Sequence, residues 1–344
     1  MTSRAMRVGI TYDLRDDYRA MGYDEEAIAE FDSIETINAI DTTLQQLGFI
    51  TERIGHIKHL VSRLASGQRW DIVFNIAEGI HGIGREAQIP ALLDAYTIPY
   101  TFSDPLVLAL TLNKAMTKQI IRDSNIPTPP FMLVTGIDDI KRCSLAYPLF
   151  AKPYAEGTGK GITASSVIRD AGELELTCTQ LLQKYKQPVL VEEYLPGREF
   201  TVGIVGSGNN AKTIGTIEII LLDNAEKDVY SFINKEQCEE RVEYRLADDI
   251  TAQKSADVAL KAWRALGCLD AGRVDIKCDS SGNPHFLEVN PLAGLHPTHS
   301  DLPIICSKAG ILYQQLLATI MHNALTRYNM LDNAPQKLSS LAIK

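Results

Sequence analysis

The chain reads as mixed α/β and α+β: an open layer of parallel strands first, then strands in smaller sheets with helices set against them. Three observations predict this. Strand-like and helical apolar patterns alternate through the first hundred residues, as a parallel sheet with crossover helices requires. Two strand patterns, 147–153 and 188–193, flank a single helical one at 171–185. Near the end, Gly272-Arg-Val-Asp-Ile-Lys-Cys-Asp-Ser-Ser-Gly-Asn-Pro-His-Phe-Leu-Glu-Val-Asn290 reads as two strands joined by a polar turn. At 344 residues the chain is too long for one small core and divides into two or three domains.

Taken in order, 8–11 is an apolar first strand. A helix follows in which Ile28, Phe31, Ile34, Ile37, Leu44 and Leu47 recur at helical spacing, with Gly48 as its stop. A strand at 50–54, a helix near 59–65, a strand at 71–74 and a helix through 87–96 complete the layer. Such sheets bind ligands in loops beyond the strand ends, here 12–24 and 75–86. The turn-rich Ile98-Pro-Tyr-Thr-Phe-Ser-Asp-Pro105 marks a first boundary, giving a domain of 1–100. A helix with Asn113, Lys114 and Lys118 follows, then the rigid connector Asn125-Ile-Pro-Thr-Pro-Pro130 into a strand. A second boundary at 193–197 divides 101–193 from 194–344. The last part carries strands at 200–205 and 213–222, a polar loop at 223–245, a helix at 251–266, the hairpin, and a final helix from about 304 to 325.

Composition excludes several classes. Hydrophobic content of 45% with 22% charge is that of a soluble globular protein. No apolar stretch of about 18 residues is present, so no membrane span is expected. No secretory signal pattern precedes the first strand. The six cysteines, Cys143, Cys178, Cys238, Cys268, Cys278 and Cys306, lack CxxC spacing and read as reduced thiols in a cytoplasmic protein. A net charge of −9 argues against nucleic acid as partner. No Gly-x-Ser-x-Gly elbow and no Gly-x-Gly-x-x-Gly after the first strand occur, against a serine hydrolase and a dinucleotide dehydrogenase.

The chemistry concentrates late in the chain. The 272–290 hairpin can bring Asp275, Glu288 and Asn290 to one face at one end. Three hard oxygen ligands suit a magnesium ion carrying nucleotide phosphates. Upstream, Lys152 ends an apolar strand and runs into Tyr154-Ala-Glu-Gly-Thr-Gly-Lys-Gly161, whose glycines let backbone N–H groups approach an anion. This is not a Walker loop, but it suggests a phosphate lid. In Val189-Leu-Val-Glu-Glu-Tyr-Leu-Pro-Gly-Arg-Glu199 a strand runs into acids and a turn. That arrangement can hold an adenine edge and ribose hydroxyls, or serve as a plain hinge. His296 and His299 are close in sequence, yet no third ligand accompanies them.

These pieces in this order resemble the ATP-grasp superfamily, and within it the D-alanine–D-alanine ligase family. The resemblance covers nearly the whole chain. Its motifs are Gly272-Arg-Val-Asp, Phe286-Leu-Glu-Val-Asn-Pro, Ala293-Gly-Leu-His-Pro-Thr-His-Ser-Asp-Leu-Pro303, Asn113-Lys-Ala-Met-Thr-Lys118, Lys152-Pro with Glu156-Gly, and Gly197-Arg-Glu-Phe-Thr-Val202. It implies an ATP-grasp fold with an N-terminal Rossmann-like (pre-ATP-grasp) domain. The implied activity joins two amino acids in a peptide bond through an acyl phosphate, with ATP and Mg2+ (or Mn2+) as cofactors and a homodimeric assembly.

The resemblance also implies roles. Lys114 and Lys152 contact ATP, and Glu156, Gly157 and Thr158 form the loop over its phosphates. Glu192, Glu193, Tyr194 and Leu195 make the adenine hinge, and Glu199 holds the ribose. Asp275, Glu288 and Asn290 hold the metal. Arg273 and the Gly294 backbone stabilise the reacting oxygen, Lys235 closes over the γ-phosphate, and Glu30 holds the first substrate's ammonium. Ser300 receives the acceptor's carboxylate, with His299 as the alternative because one extra residue intervenes after Asn290.

The departures gather around the amino-acid pockets. The family's Gly-Gly-x-Ser is replaced by Ile10-Thr-Tyr-Asp-Leu-Arg, its His-Gly by Glu78-Gly79, and its Gly-Glu-Asp-Gly by Gly84-Arg-Glu-Ala87. Thr158 stands for a serine, and Glu236 for a tyrosine beside Lys235. Two alternatives therefore stay open: a ligase for a different amino acid or amine in a specialised pathway, and a non-catalytic nucleotide-binding protein.

Overall fold

The computed structural model describes residues 5–226, 229, 231, 233, 234 and 237–343. Its strands form three sheets. In the first, β1 (Arg7–Thr11) lies between β2 (Ile50–Gly55) and β3 (Ile72–Asn75), parallel to both. The second is antiparallel in the order β4 (Phe131–Val134), β7 (Val189–Glu193), β5 (Leu149–Pro153), β6 (Val167–Ile168). The third is also antiparallel: β10 (Val242–Leu246), β9 (Lys212–Leu221), β8 (Glu199–Val205), β11 (Ala271–Cys278), β12 (Pro284–Asn290). The parallel layer and the later helix-backed strands are as the apolar patterning predicts.

The helix Ile34–Leu47 shows how local chemistry sets an element. Ser33 caps it, accepting from the Thr36 N–H, and Gly48 ends it in the left-handed region at φ 103°. The sequence reading started this helix at Ile28. Instead Ile28 and Phe31 belong to a small cluster with Tyr18 ahead of the cap. The shared spacing was coincidental, because the two residues pack in turns and not on the helix face. The helix buries Ile37, Ile40 and Leu44 in a core that also contains Leu316, Leu317 and Met321. The end of the chain thus packs against its beginning.

Two further expectations are corrected. The final helix is two, Asp301–Lys308 and Tyr313–Arg327, bent by 115°. Gly310 at φ 75° lies in the break, a conformation that a helix interior cannot contain. The segment read as a polar loop holds a short helix, Cys238–Arg241, and the strand β10. Strand β10 alternates polar and apolar residues and sits at the sheet edge, where a low apolar content is tolerated. All six cysteines are free. Among the described residues no single helix is long and apolar enough to cross a membrane.

Candidate active site

The site is built on the β11–β12 hairpin. Arg273 pairs with Asn290, and Asp275 pairs with Glu288 two positions along. Directly paired residues point to the same face, as do residues two apart, so all four side chains share one face at one end of the sheet. A bulge between Asp275 and Ile276 makes this possible. Nearer the turn, Ile276 pairs with Phe286, a register that would set Leu287 opposite Asp275. The extra residue shifts the pairing by one and brings Glu288 round to the Asp275 face.

Two clefts meet at this hairpin, and Glu288 lines both. The larger, about 450 Å3, is lined by residues of strands, helices and loops, among them Glu30, Lys114, Gly157, Arg273, Asn290 and Ser300. The smaller, about 70 Å3, is lined by Lys152, Glu192, Glu193, Tyr194, Leu195, Glu199 and Asp275, among others. The predicted nucleotide residues therefore divide. The hinge, the ribose acid and Lys152 lie in the narrow cleft, while Lys114, Glu156, Gly157 and Thr158 line the wide one with Gly294. Lys235 falls outside the described residues.

The charges are arranged in pairs. Thr201 donates to Asp275 Oδ1 at 3.0 Å, and Arg273 bonds Asp275 Oδ2. Arg273 Nε also lies 3.2 Å from Asp301 Oδ2. Burial opposes the guanidinium charge, but Asp275 and Asp301 outweigh it and hold its pKa above the ordinary arginine value. Lys114 Nζ lies 3.5 Å from Glu288 Oε2 and donates to the Glu156 carbonyl.

Asp275, Glu288 and Asn290 fit a hard divalent cation by donor type, two carboxylates and an amide. Asn290 Nδ2 is buried without an acceptor, so turning the amide to present its oxygen there breaks nothing. Among the described residues no three His, Cys, Asp or Glu side chains gather as a metal cluster. Any such ion would thus need ligand oxygens from a bound phosphate or water.

Glu192 is not free to reach a base. Its carboxylate is clamped between Lys118 Nζ at 2.8 Å and Lys152 Nζ at 3.1 Å. Burial disfavours its charge, yet the two ammonium groups prevail and keep its pKa below the ordinary range. Burial likewise opposes charge on Lys152, and Glu192, Glu288 and Asp275 reverse the effect and raise its pKa. Lys118, fully buried, is pushed down to about 8 by burial against the pull of Glu192. Sequence reasoning gave Lys118 no role. Its i+4 spacing from Lys114 in the helix Lys114–Asp123 was the available signal. Glu199 accepts from Lys277 Nζ at 2.6 Å.

Glu30 sits where the wide cleft meets the glycine-rich loop. Its Oε1 accepts from the Gly157 N–H at 2.7 Å and its Oε2 from Arg85 Nη2 at 2.9 Å. Burial would raise its pKa, but Arg85 and Lys160 overcome this and lower it to about 2. Its neighbours behave oppositely. Burial, with Asp13 nearby, pushes Asp32 up to about 8, and burial with Glu86 and Glu30 raises Glu78 well above the usual carboxylate range. Both line the cleft. At the far end Ser300 Oγ accepts from the His296 N–H at 3.0 Å and crowds Gly294, whose added Cβ would lie 2.8 Å from it. His299 lines the same cleft, its Nδ1 3.7 Å from Cys238 Sγ.

Three sheets with two clefts meeting at an acidic hairpin agree with the ATP-grasp fold, as comparison with known proteins shows. The structure superimposes on the D-alanine–D-alanine ligase of Bacillus anthracis complexed with ATP at a TM-score of 0.71, covering 94% of this chain and 99% of that one at 22% identity. It matches the VanG D-Ala:D-Ser ligase of Enterococcus faecalis at 0.71, over 93% and 100% of the chains, at 19% identity. These two likenesses concern the fold. In sequence, residues 120–322 match the family described as D-ala D-ala ligase C-terminus. A D-alanine–D-alanine ligase of Bordetella avium is 32% identical over 251 residues, 71% of this chain and 76% of the relative. An uncharacterized protein of Sinorhizobium fredii, y4sG, is 33% identical over 75% of each chain. The chain belongs to the D-alanine–D-alanine ligase family.

Proposed function

We propose that this chain is an ATP-dependent ligase that forms a peptide bond between two amino acids through an acyl phosphate. The observation that carries this is the Asp275–Glu288 pair flanked by Arg273 and Asn290 at the junction of the two clefts. On this reading, a phosphoryl-transfer site would lie beside a cavity of about 450 Å3. The names of the Bordetella relatives and the ATP complex of the Bacillus neighbour support the same reading.

ATP would lie with its base in the narrow cleft against residues 193–195, its ribose at Glu199 and its phosphates toward Lys152, Lys114 and the 156–158 loop. Since the Glu192 carboxylate is held by two lysines, the base would rely on the hinge backbone and its neighbours. Asp275, Glu288 and Asn290 would hold Mg2+ or Mn2+, which offsets charge on the transferring phosphoryl group. A carboxylate oxygen of the first amino acid attacks the γ-phosphorus, and the bond to the ADP oxygen breaks. The amine of the second amino acid then attacks the acyl carbon, loses a proton, and displaces inorganic phosphate. Arg273 and the Gly294 N–H face that carbon's oxygen as it gains charge. Ser300 or His299 receives the acceptor's carboxylate, Glu30 faces the first substrate's ammonium, and Lys235, by the family resemblance, would act on the γ-phosphate.

We further propose domains at 1–100, 101–193 and 194–344, and a homodimer. The cytoplasm is the proposed location, because it supplies ATP and keeps six free thiols reduced. The test is ADP and phosphate release with D- and L-amino acids, D-alanine first, with mass spectrometry of the products. One ADP per dipeptide is expected. ATP binding without amino-acid-stimulated ADP formation would sink the ligase reading.

A further inference from the structure

We infer that Arg85 is a positioning residue that ties the glycine-rich loop over the proposed phosphate site to the acid of the proposed first-substrate pocket. Its kinetic consequences rest on the ligase reading, whereas the latch itself is a structural claim that can be tested without it.

Arg85 begins a short 3-10 turn after β3 and is buried, with only 9% of its surface exposed. Its guanidinium reaches in two directions. Nη1 donates to the Ala155 carbonyl at 3.0 Å, at the base of the glycine-rich loop, and Nη2 donates to Glu30 Oε2 at 2.9 Å. The other oxygen of Glu30 accepts from the Gly157 N–H of the same loop. Lys160 adds three links, to Ala27 O at 3.2 Å, Glu30 Oε1 at 3.5 Å and Glu156 Oε2 at 3.5 Å. Three chain segments distant in sequence are thus joined through one planar cation and one carboxylate.

A planar fork suits this task. A lysine could neutralise Glu30 but could not also hold Ala155 O in a fixed direction. Close packing makes the latch particular to this loop, since a Cβ on Gly157 would stand 2.9 Å from Glu30 Oε1. Thr158 adopts φ 51° beside Gly159 at φ 73°, a bent backbone that must be held in place from outside. Arg85 also stands where the resemblance leads one to expect an acid, within Gly84-Arg-Glu-Ala87. The same cation therefore sets the charge of Glu30 and the closed position of the loop, so opening one disturbs the other.

Trypsin reads the latch directly. Between Lys152, which is followed by Pro153, and Arg169, the loop offers one tryptic bond, after Lys160. Lys160 is buried while the latch is closed, so cleavage there follows the population of the open loop. In Arg85→Gln, cleavage after Lys160 is expected to rise at least about tenfold, as loss of one or both of its charged hydrogen bonds implies, with the melting temperature kept within a few degrees. Arg85→Lys should fall between. The KM for ATP should rise more than kcat falls. Unchanged cleavage in folded Arg85→Gln overturns the inference, and so does a fall in kcat with KM unchanged, which would report only lost active protein. Should Arg85→Gln not fold, the isosteric Glu30→Gln is read by the same digestion, and unchanged cleavage there overturns it equally. If the wild-type protein forms no ADP with any amino acid, the ligase reading fails while the digestion still decides the latch.

Discussion

Arg273 is the residue on which the proposed acyl transfer turns. It is held between Asp275 and Asp301, so its guanidinium is already oriented before any substrate arrives. Removing a preorganised donor from such a site costs about 3–4 kcal/mol of transition-state stabilisation. Arg273→Ala should therefore lower kcat by roughly 10²–10³ while nucleotide binding, measured by calorimetry, stays close to wild type. Ligase turnover surviving that change would remove Arg273 from the mechanism. Asp32 makes a different prediction, because it lines the cleft with its pKa raised to about 8. An acid whose folded pKa exceeds its unfolded one contributes stability at low pH, and that contribution is lost as pH rises from about 4 toward 8. Asp32→Asn removes the titration, so its melting temperature should gain on wild type between pH 5 and pH 8, by about 1–2 °C per kcal/mol for a chain of this length. A gap between the two proteins that does not change with pH would show Asp32 to be ionised in the fold. That Asp275, Glu288 and Asn290 share one face of a hairpin was legible from sequence. Partners such as Arg85 for Glu30 or Lys118 for Glu192 were not, since pairing across distant elements leaves no local spacing to read.

At the scale of elements, the hairpin was readable because strands repeat every two residues and a Ser-Ser-Gly-Asn turn announces itself. The bulge that completes it was not, since one extra residue in the register has no sequence mark of its own. The same holds for the broken final helix, where apolar spacing ran on through a glycine that the backbone uses to turn. Gly272 tests how tightly the hairpin is set. A Cβ there would lie 2.5 Å from the Asn290 carbonyl oxygen and 2.7 Å from the Trp263 ring, neither of which is a flexible chain end. Gly272→Ala must push β12 away from β11 just where Asn290 and Arg273 pair. Overpacking of this kind costs about 1–3 kcal/mol, so thermal unfolding should come several degrees lower. Unlike an ordinary core substitution, it should also weaken the divalent-ion dependence of ATP binding. A Gly272→Ala protein with normal stability and normal metal dependence would mean that the hairpin yields easily and does not set the ligand geometry.

The whole molecule places its clefts between sheets, with the last helices packed against the first layer, so the three sheets form walls of one site. That arrangement was legible only as motif order along the chain, because colinear motifs carry topology while single motifs carry little. Walls of this kind imply that ligand binding and global stability are coupled. A ligand that binds only the folded chain raises stability by RT ln(1 + [L]/Kd), about 2.7 kcal/mol at a hundredfold excess over Kd. Mg2+ with ATP should thus raise the melting temperature by several degrees, and ATP with a chelator should do so much less, since Asp275 and Glu288 would then face phosphates without a cation between them. Asp275→Asn should narrow the difference between those two conditions, as one anionic ligand is gone and the repulsion with it. Lys152→Met should abolish both shifts, though it also removes one of the buried ammonium partners of Glu192 and lowers the starting stability. The decisive quantity is therefore the ligand-induced shift and not the absolute melting temperature. A wild-type protein whose unfolding is indifferent to ATP, with or without Mg2+, would show that the narrow cleft does not take a nucleotide, and the ligase chemistry built on it would fall.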